Sequence, residues 1–134
     1  FPGETIGTSN GSIFFPEDCI PNNYESYVYP LSVAEPQLPS NPFSASNAQY
    51  SNEDYPKVKV TITNNHNQRI SDVTVNVLLY NTDGNIIGGS KDYLGEIAAN
   101  GSAEMEIWVS DIGNQTIGKI EVYPTLTSYS IIGD

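Results

Sequence analysis

This chain of 134 residues has one cysteine and one histidine, which limits the disulfides and metal sites that it can form. The single cysteine, Cys19, excludes an intramolecular disulfide. Phe15–Asp18 precede it in place of the small residues expected before a lipidated cysteine, so we interpret Cys19 as a free structural thiol. The single histidine, His66, lies among asparagines without a second histidine or a cysteine nearby. We interpret it as a surface loop residue and not as a metal ligand.

Positive charge is also scarce, with five Lys and Arg against sixteen Asp and Glu and a formal net charge of −11. This balance argues against nucleic acid or an anionic membrane as the main partner, because both repel an acidic surface. All five bases lie beyond residue 55. Residues 1–54 therefore carry a charge of −7, and the remainder carries −4 from five bases and nine acids. We interpret the excess acid as a solvated surface.

Long apolar runs are missing as well. No stretch approaches the ~18 apolar residues that a transmembrane helix requires, so we expect no membrane insertion in this segment. The chain starts at Phe1 without an initiator methionine. We expect that a secretory signal or a lipoprotein anchor preceded it and was removed.

An apolar period of 3.6 residues is not found over any ten residues, so we expect little helix. The recurring pattern is alternation, and it is strongest in Val73–Tyr80, which an Asp-Gly turn follows at Asp83. Weaker alternating runs occur at 57–62, 104–109 and 117–123, with turn signals between them. Short strands separated by turns predict a β-sandwich or a small barrel organised around Val73–Tyr80.

The apolar phase of these strands also predicts a core. The residues that we expect to be buried are Val75, Val77, Leu79, Ile107 and Val122. A further short strand is predicted around Ile86 and Ile87, ending at Gly88 and Gly89.

Residues 1–54 differ from the rest because they hold seven of the nine prolines. Proline removes a backbone donor, so we expect only an edge strand at Tyr27–Val33 and a long surface loop at Glu35–Ser51. The segment also contains too many aromatic residues for a solvated tail. We therefore expect residues 1–54 to pack as an extension on residues 55–134 and to form one globular domain with them.

The strand that ends in the Asp-Gly turn resembles a known family. Val77–Asn81, followed by Thr82–Gly84, is similar to the Phe-x-Leu-Tyr-Asp strand and glycine turn of FxLYD domains. Val77 stands where that family has Phe, and Asn81 stands where it has Asp. Leu94–Ser102 is similar to the turn before the next strand of that family.

The resemblance covers residues 56–124, about half of the chain, and includes Ile62–Asn65, which is similar to the family's opening without its glycine. FxLYD domains are small β-sandwich modules of secreted and surface proteins of bacteria and archaea, with no established catalytic role. The resemblance implies an extracellular or cell-surface location. With it, we predict an all-β, immunoglobulin-like antiparallel β-sandwich on which the N-terminal extension packs.

Catalytic and metal-binding signatures are weak. Adjacent acids such as Glu53 and Asp54 would have to face each other to act as paired glycosidase carboxylates. In a strand, neighbouring side chains point to opposite faces, and in a loop such acids are usually solvated. Asn81, Asp83 and Asn85 resemble a calcium loop faintly, but the glycine and the later acid are out of register. We interpret them as turn residues. We expect no cofactor, no metal and no enzymatic activity.

Aromatic residues supply the candidate binding site. Trp108, Tyr80 and Tyr123 occupy the outward phase of their strands, and neighbouring strands would combine them into one aromatic patch. Such patches bind sugars or protein partners. The alternative is that residues 1–54 cover the patch with their own tyrosines. We predict a non-catalytic module that serves protein interaction or a structural role, with carbohydrate binding through the aromatic face as the alternative and an acidic hydrolase as a third hypothesis.

Overall fold

The computed structural model describes residues 38–133, and this part of the chain folds into strands without any helix. The strands are β1 (Phe43–Ser51), β2 (Lys57–Asn64), β3 (Ile70–Asn81), β4 (Ile86–Ile97), β5 (Ser102–Trp108), β6 (Ile117–Thr125) and β7 (Ile131–Ile132). In the described range there is accordingly no helix that could cross a membrane. The expected edge strand at Tyr27–Val33 lies outside the described residues.

Two antiparallel sheets pack face to face. Sheet A has the order β1-β2-β5, and sheet B has the order β4-β3-β6, with β7 paired to the start of β3. The predicted all-β sandwich is confirmed. Its immunoglobulin-like strand arrangement stays a prediction, as does the packing of the N-terminal extension.

Strand β3 is the centre of sheet B, as its alternating sequence predicted. It pairs with β4 on one side and with β6 on the other, so that Val77 lies opposite both Ser90 and Val122. The inward row of β3 is completely buried from Val73 to Leu79. Burial of apolar area at ~25 cal/mol per Å² makes this row a main source of stability.

The core lies between the sheets and draws on both. Sheet A contributes the inward rows of β2 and β5. Ile97, which pairs with Ile70, and Ile112, which lies beside Gly88, belong to the same cluster. Of the predicted core residues Val75, Val77, Leu79 and Ile107 are fully buried. Val122 packs against the same cluster but is only half-buried, because β6 has β3 as its partner on one side alone among the described strands.

The loop predicted for Glu35–Ser51 is wrong for its second half, because β1 forms the edge of sheet A there. Phe43 is the one β1 side chain that is buried, so apolar alternation gives no signal for this strand. Backbone hydrogen bonds to β2 hold it regardless of side-chain type. Its pairing shifts register between Ser46 and Gln49, where Asn47 has a φ of 56°. Such a bulge twists an edge strand and discourages pairing with other chains.

The strand predicted around Ile86 is also too short, because β4 continues through both glycines for twelve residues. A Cβ on Gly89 would lie 2.6 Å from the carbonyl oxygen of Val77, and one on Gly88 would lie 3.1 Å from the side chain of Ile112. The glycines therefore permit close packing inside the strand and do not end it.

Candidate functional site

The outer face of sheet A is a ladder of opposite charges. Lys57 Nζ lies 3.1 Å from Glu106 Oε2, and Lys59 Nζ lies 3.0 Å from Glu104 Oε2. The carboxylate of Glu106 raises the pKa of Lys57 through this hydrogen bond. Cross-strand pairs of this kind satisfy each other on the surface of the sheet. The ladder therefore offers few unpaired charges to a partner.

Trp108 lies at one end of this ladder and is 67% exposed. Its ring centroid is 4.7 Å from that of Tyr55, with the ring planes at 50°, and Lys57 Nζ is 5.1 Å from the Tyr55 centroid. Tyr80 and Tyr123, in contrast, belong to sheet B. The single Tyr–Trp patch envisaged from the sequence does not form, because β3 and β5 are in different sheets and are not neighbours.

The outer face of sheet B carries tyrosines from every one of its three main strands. The register places Tyr93 beside Thr74 and Tyr123 beside Asn76 on the face opposite the buried valines. We call this surface, together with the turn that follows β6, the tyrosine face. Its tyrosines are Tyr80, Tyr93, Tyr123 and Tyr129. A covering segment was expected from residues 1–54. Of these, residues 1–37 lie outside the described residues, and β1 lies in sheet A and not on this face.

One carboxylate fixes two of these tyrosines, and we call the group the Glu121 cluster. The Tyr80 hydroxyl donates to Glu121 Oε2 at 2.7 Å, and the Tyr123 hydroxyl donates to the same oxygen at 2.6 Å. Lys119 forms an ion pair with the other oxygen. These contacts, with that of Lys119 the largest, hold the pKa of Glu121 at about 2. The carboxylate in turn raises the pKa of Tyr123 to about 12 and raises the pKa of Tyr80.

The Glu121 cluster is thus a structural clamp. A carboxylate with a pKa of about 2 stays ionised at neutral pH and accepts hydrogen bonds only. It cannot serve as a general acid there, and three donors already occupy its oxygens. What the cluster does is orient two aromatic rings on the surface.

Beside this cluster the β3–β4 turn forms an open cleft of about 370 Å³, the turn cleft, which Tyr80 also lines. Asn81 Oδ1 accepts hydrogen bonds from the backbone nitrogens of Asp83 at 3.0 Å and Asn85 at 2.9 Å. The turn chemistry expected for these residues is therefore confirmed. Gly84 has a φ of 81°, which side-chain-bearing residues adopt rarely.

At the other end of the tyrosine face lies a second open cleft of about 450 Å³, the tyrosine cleft. Its walls include Tyr93, which is 64% exposed, and Tyr129, which is 80% exposed. Lys91 Nζ lies 5.6 Å from the Tyr93 ring centroid. The complete lining is Asp72, Thr74, Lys91, Tyr93, Thr127, Ser128 and Tyr129.

The turn that carries Tyr129 is held firmly on the sheet. The buried Ser130 hydroxyl donates to the backbone carbonyl of Asp72 at 2.7 Å and accepts from the backbone nitrogen of Thr127 at 2.9 Å. The backbone nitrogen of Tyr129 donates to Thr127 Oγ1 at 3.1 Å. The most exposed aromatic residue of the described chain therefore sits on a preorganised turn.

Sequence reasoning missed Tyr93, Tyr129 and Glu121 as site residues. For Tyr93 a signal existed, because Lys91 and Tyr93 alternate with Leu94 in β4. This signal becomes readable only once β4 continues past the two glycines. Asp72 gave no signal, since its φ of 55° reverses the apolar phase within β3 and only the folded backbone shows this.

The described residues form no metal site. Across residues 38–133 no three His, Cys, Asp or Glu side chains lie together as a metal site. His66 lies in the β2–β3 loop, where its Nδ1 accepts a hydrogen bond from the backbone nitrogen of Gln68 at 3.2 Å. Glu53 and Asp54 are exposed between β1 and β2.

These observations define a class of protein, an all-β sandwich with one charge-paired outer face and one tyrosine face. Comparisons of the chain with protein family models, curated proteins and solved structures find no match. The tyrosine face is therefore the feature of the molecule that carries a functional proposal.

Proposed function

We propose that this chain is a non-catalytic, FxLYD-like β-sandwich module of a bacterial surface or secreted protein that binds a component of the cell envelope through the tyrosine face. The resemblance of residues 56–124 to FxLYD domains supports the extracellular setting. The observation that carries the binding role is the tyrosine face itself, where Tyr80 lines one open cleft and Tyr93 and Tyr129 line another.

Tyrosine suits a recognition surface for a physical reason. Its ring provides a large contact area with few rotatable bonds, and its hydroxyl can still hydrogen-bond. Here the Glu121 cluster and the turn at Ser130 already restrict the aromatic surface. Binding to a preorganised surface loses less conformational entropy, so more of the contact free energy remains as affinity.

Within the described residues, the outer face of sheet A does not combine exposed tyrosines with open clefts. Its exposed Trp108 packs on Tyr55, and its four central charged groups are paired with one another across the strands. Trp108 is nonetheless as exposed as Tyr93, at 67% against 64%. It therefore provides a matched control for experiments on the tyrosine face.

The test uses the full chain, fluorescently labelled, and envelope preparations from the organism that encodes it. Substitution of both Tyr93 and Tyr129 by serine is expected to weaken binding at least about tenfold, the effect of losing ~1.4 kcal/mol. The control Trp108→Ser is expected to bind as the parent does. Urea melts of each variant verify that the sandwich is intact.

Two results would overturn the proposal. One is the absence of measurable envelope binding by the parent chain. The other is an equal affinity of the parent and the double tyrosine variant, which would place any binding elsewhere on the molecule.

A further inference from the structure

We infer that the tyrosine cleft binds a pyranose unit of a neutral polysaccharide. This inference rests on the proposed function, since it names the class of ligand that the tyrosine face takes. It is carried by the shape, the side-chain chemistry and the charge of the cleft.

Aromatic rings supply the first requirement. A pyranose ring has faces of C–H groups and an edge of hydroxyl groups, so it packs a face against an aromatic side chain. Tyr93 and Tyr129 line one cleft of about 450 Å³ and are 64% and 80% exposed, which leaves both rings accessible. A sugar unit can contact one ring or lie between the two.

Polar groups supply the second requirement. Each sugar hydroxyl both donates and accepts a hydrogen bond, so it needs partners of both kinds. Asp72 offers an acceptor, Lys91 a donor, and the exposed Ser128 a hydroxyl that does either. A few polar groups around an aromatic contact are the usual basis of small-ligand specificity.

The lining also favours a sugar over a protein partner. Protein interfaces concentrate their binding free energy in apolar and aromatic anchors that fill desolvated pockets. The tyrosine cleft has no aliphatic side chain in its lining, and both of its tyrosines are largely exposed to solvent. It therefore offers no dry pocket for a leucine, methionine or phenylalanine anchor.

Charge selects a neutral sugar. The lining holds one acid, Asp72, and one base, Lys91, so the cleft itself is balanced. The chain as a whole carries −11. Repulsion acts over a screening length of ~8 Å at physiological salt and disfavours an acidic polysaccharide lying along the sheet.

The length of the tyrosine face fits a polymer better than a single sugar. Strand β3 joins the two clefts from Thr74 to Tyr80, a span of ~20 Å at the rise of an antiparallel strand. Asn76 and Tyr123 face each other across the strands between the clefts. A polysaccharide chain laid along β3 would contact both ends of the face.

The test is affinity gel electrophoresis of the full chain in gels that contain a mannan, a β-glucan, a galactomannan, a xylan or an anionic pectin. At least one neutral polysaccharide is expected to retard the parent. Tyr129→Ala is expected to weaken that binding about tenfold or more, whereas Tyr129→Phe, which keeps the ring, retains most of it. Trp108→Ala, on the opposite sheet, is expected to bind as the parent does.

Treatment of the envelope preparation supplies a second readout. Periodate, which cleaves vicinal diols of sugars, is expected to abolish envelope binding, and protease is expected to leave it unchanged. Loss of binding after protease treatment alone, with no retardation by any neutral polysaccharide, would overturn the sugar inference and leave the proposed function standing. Absence of both envelope and polysaccharide binding would overturn both.

The remaining outcomes concern place and charge. Retardation that Tyr129→Ala does not weaken, or that Trp108→Ala weakens equally, would contradict the tyrosine cleft as the site. Retardation by pectin alone would contradict a neutral ligand.

Discussion

The two outer faces of the sandwich contain similarly exposed aromatic residues but differ in how their polar groups are used. On sheet A, Lys57 and Lys59 pair with glutamates of the neighbouring strand. On sheet B, Glu121 pairs with Lys119 and also accepts from two tyrosine hydroxyls, which fixes both rings. The tyrosine cleft keeps an acid, a base and hydroxyls around open space.

The comparison shows that exposure alone does not identify a binding face. Trp108 and Tyr93 are almost equally exposed. What separates them is the use of the neighbouring polar groups. Beside Trp108 the lysines and glutamates of sheet A pair with one another, whereas Tyr93 on sheet B lines a cleft with Asp72 and Lys91. The following experiments break or sharpen this difference.

The largest expected effect comes from the core that supports both faces. Leu79 is fully buried in the inward row of β3, so Leu79→Ala should lower the free energy of unfolding by about 2–5 kcal/mol. The matched control is Leu78→Ala, the next residue on the half-buried outer face, which should have a smaller effect. Urea melts measure both. A larger effect at Leu78 would mean that the inner and outer phases of β3 are reversed.

A smaller effect on stability is expected from removing one carboxylate on each outer face, and it compares the two faces directly. The side chain of Glu121 is 23% exposed and binds three partners, whereas that of Glu104 is 64% exposed and pairs only with Lys59 in the ladder. Glu121→Gln should therefore lower the free energy of unfolding by about 1–2 kcal/mol, at the low end for hydrogen bonds to a charged group because the site is partly solvated. Glu104→Gln should change it by less than ~0.5 kcal/mol. Equal effects in urea melts would remove the distinction between the faces.

The smallest expected effect is the pH dependence of the stability difference between the parent and Glu121→Gln. Folding lowers the pKa of Glu121 from 4.5 to about 2, so its stabilising contribution is complete above 4.5 and is lost as the pH falls towards 2. Folding raises the pKa of Tyr123 from 10 to about 12, so its contribution is complete below 10 and is lost as the pH rises towards 12.

The stability difference between the parent and Glu121→Gln should therefore be constant between about pH 5 and pH 9 and shrink at both extremes. Urea melts from about pH 2 to about pH 12 measure it. The matched difference for Glu104→Gln should stay small throughout. A Glu121→Gln difference that persists in full near pH 2 would contradict the assignment of the clamp to the ionised carboxylate.

Much of the sandwich could be predicted from the sequence, because a strand with one buried face must alternate. The inward rows of β2, β3 and β5 follow this rule, and Leu79 and Ile107 lie where it places them. Strand β1 could not be predicted in this way, since Phe43 is its only buried side chain. Its ladder to β2 depends on backbone groups that every residue has.

The candidate site was less predictable than the core. The outward positions of Tyr80, Tyr123 and Trp108 follow from alternation, but their partners do not. The sequence does not state which strands become neighbours, so Trp108 could be grouped with Tyr80 although the two lie on different sheets. The clamp of two tyrosines on Glu121 depends on the pairing of β3 with β6.

The sequence by itself thus determined the local features, namely the strand period, the Asx turn after β3 and the acidic surface, because each depends on neighbouring residues or on composition. Tertiary structure alone decided which surfaces exist. Sheet order separated Trp108 from the tyrosines, and the left-handed backbone at Asp72 with the bound Ser130 brought Tyr129 to the cleft beside Tyr93. Contacts between residues more than fifty positions apart depend on how strands pair, and the pattern within a strand does not specify its neighbour.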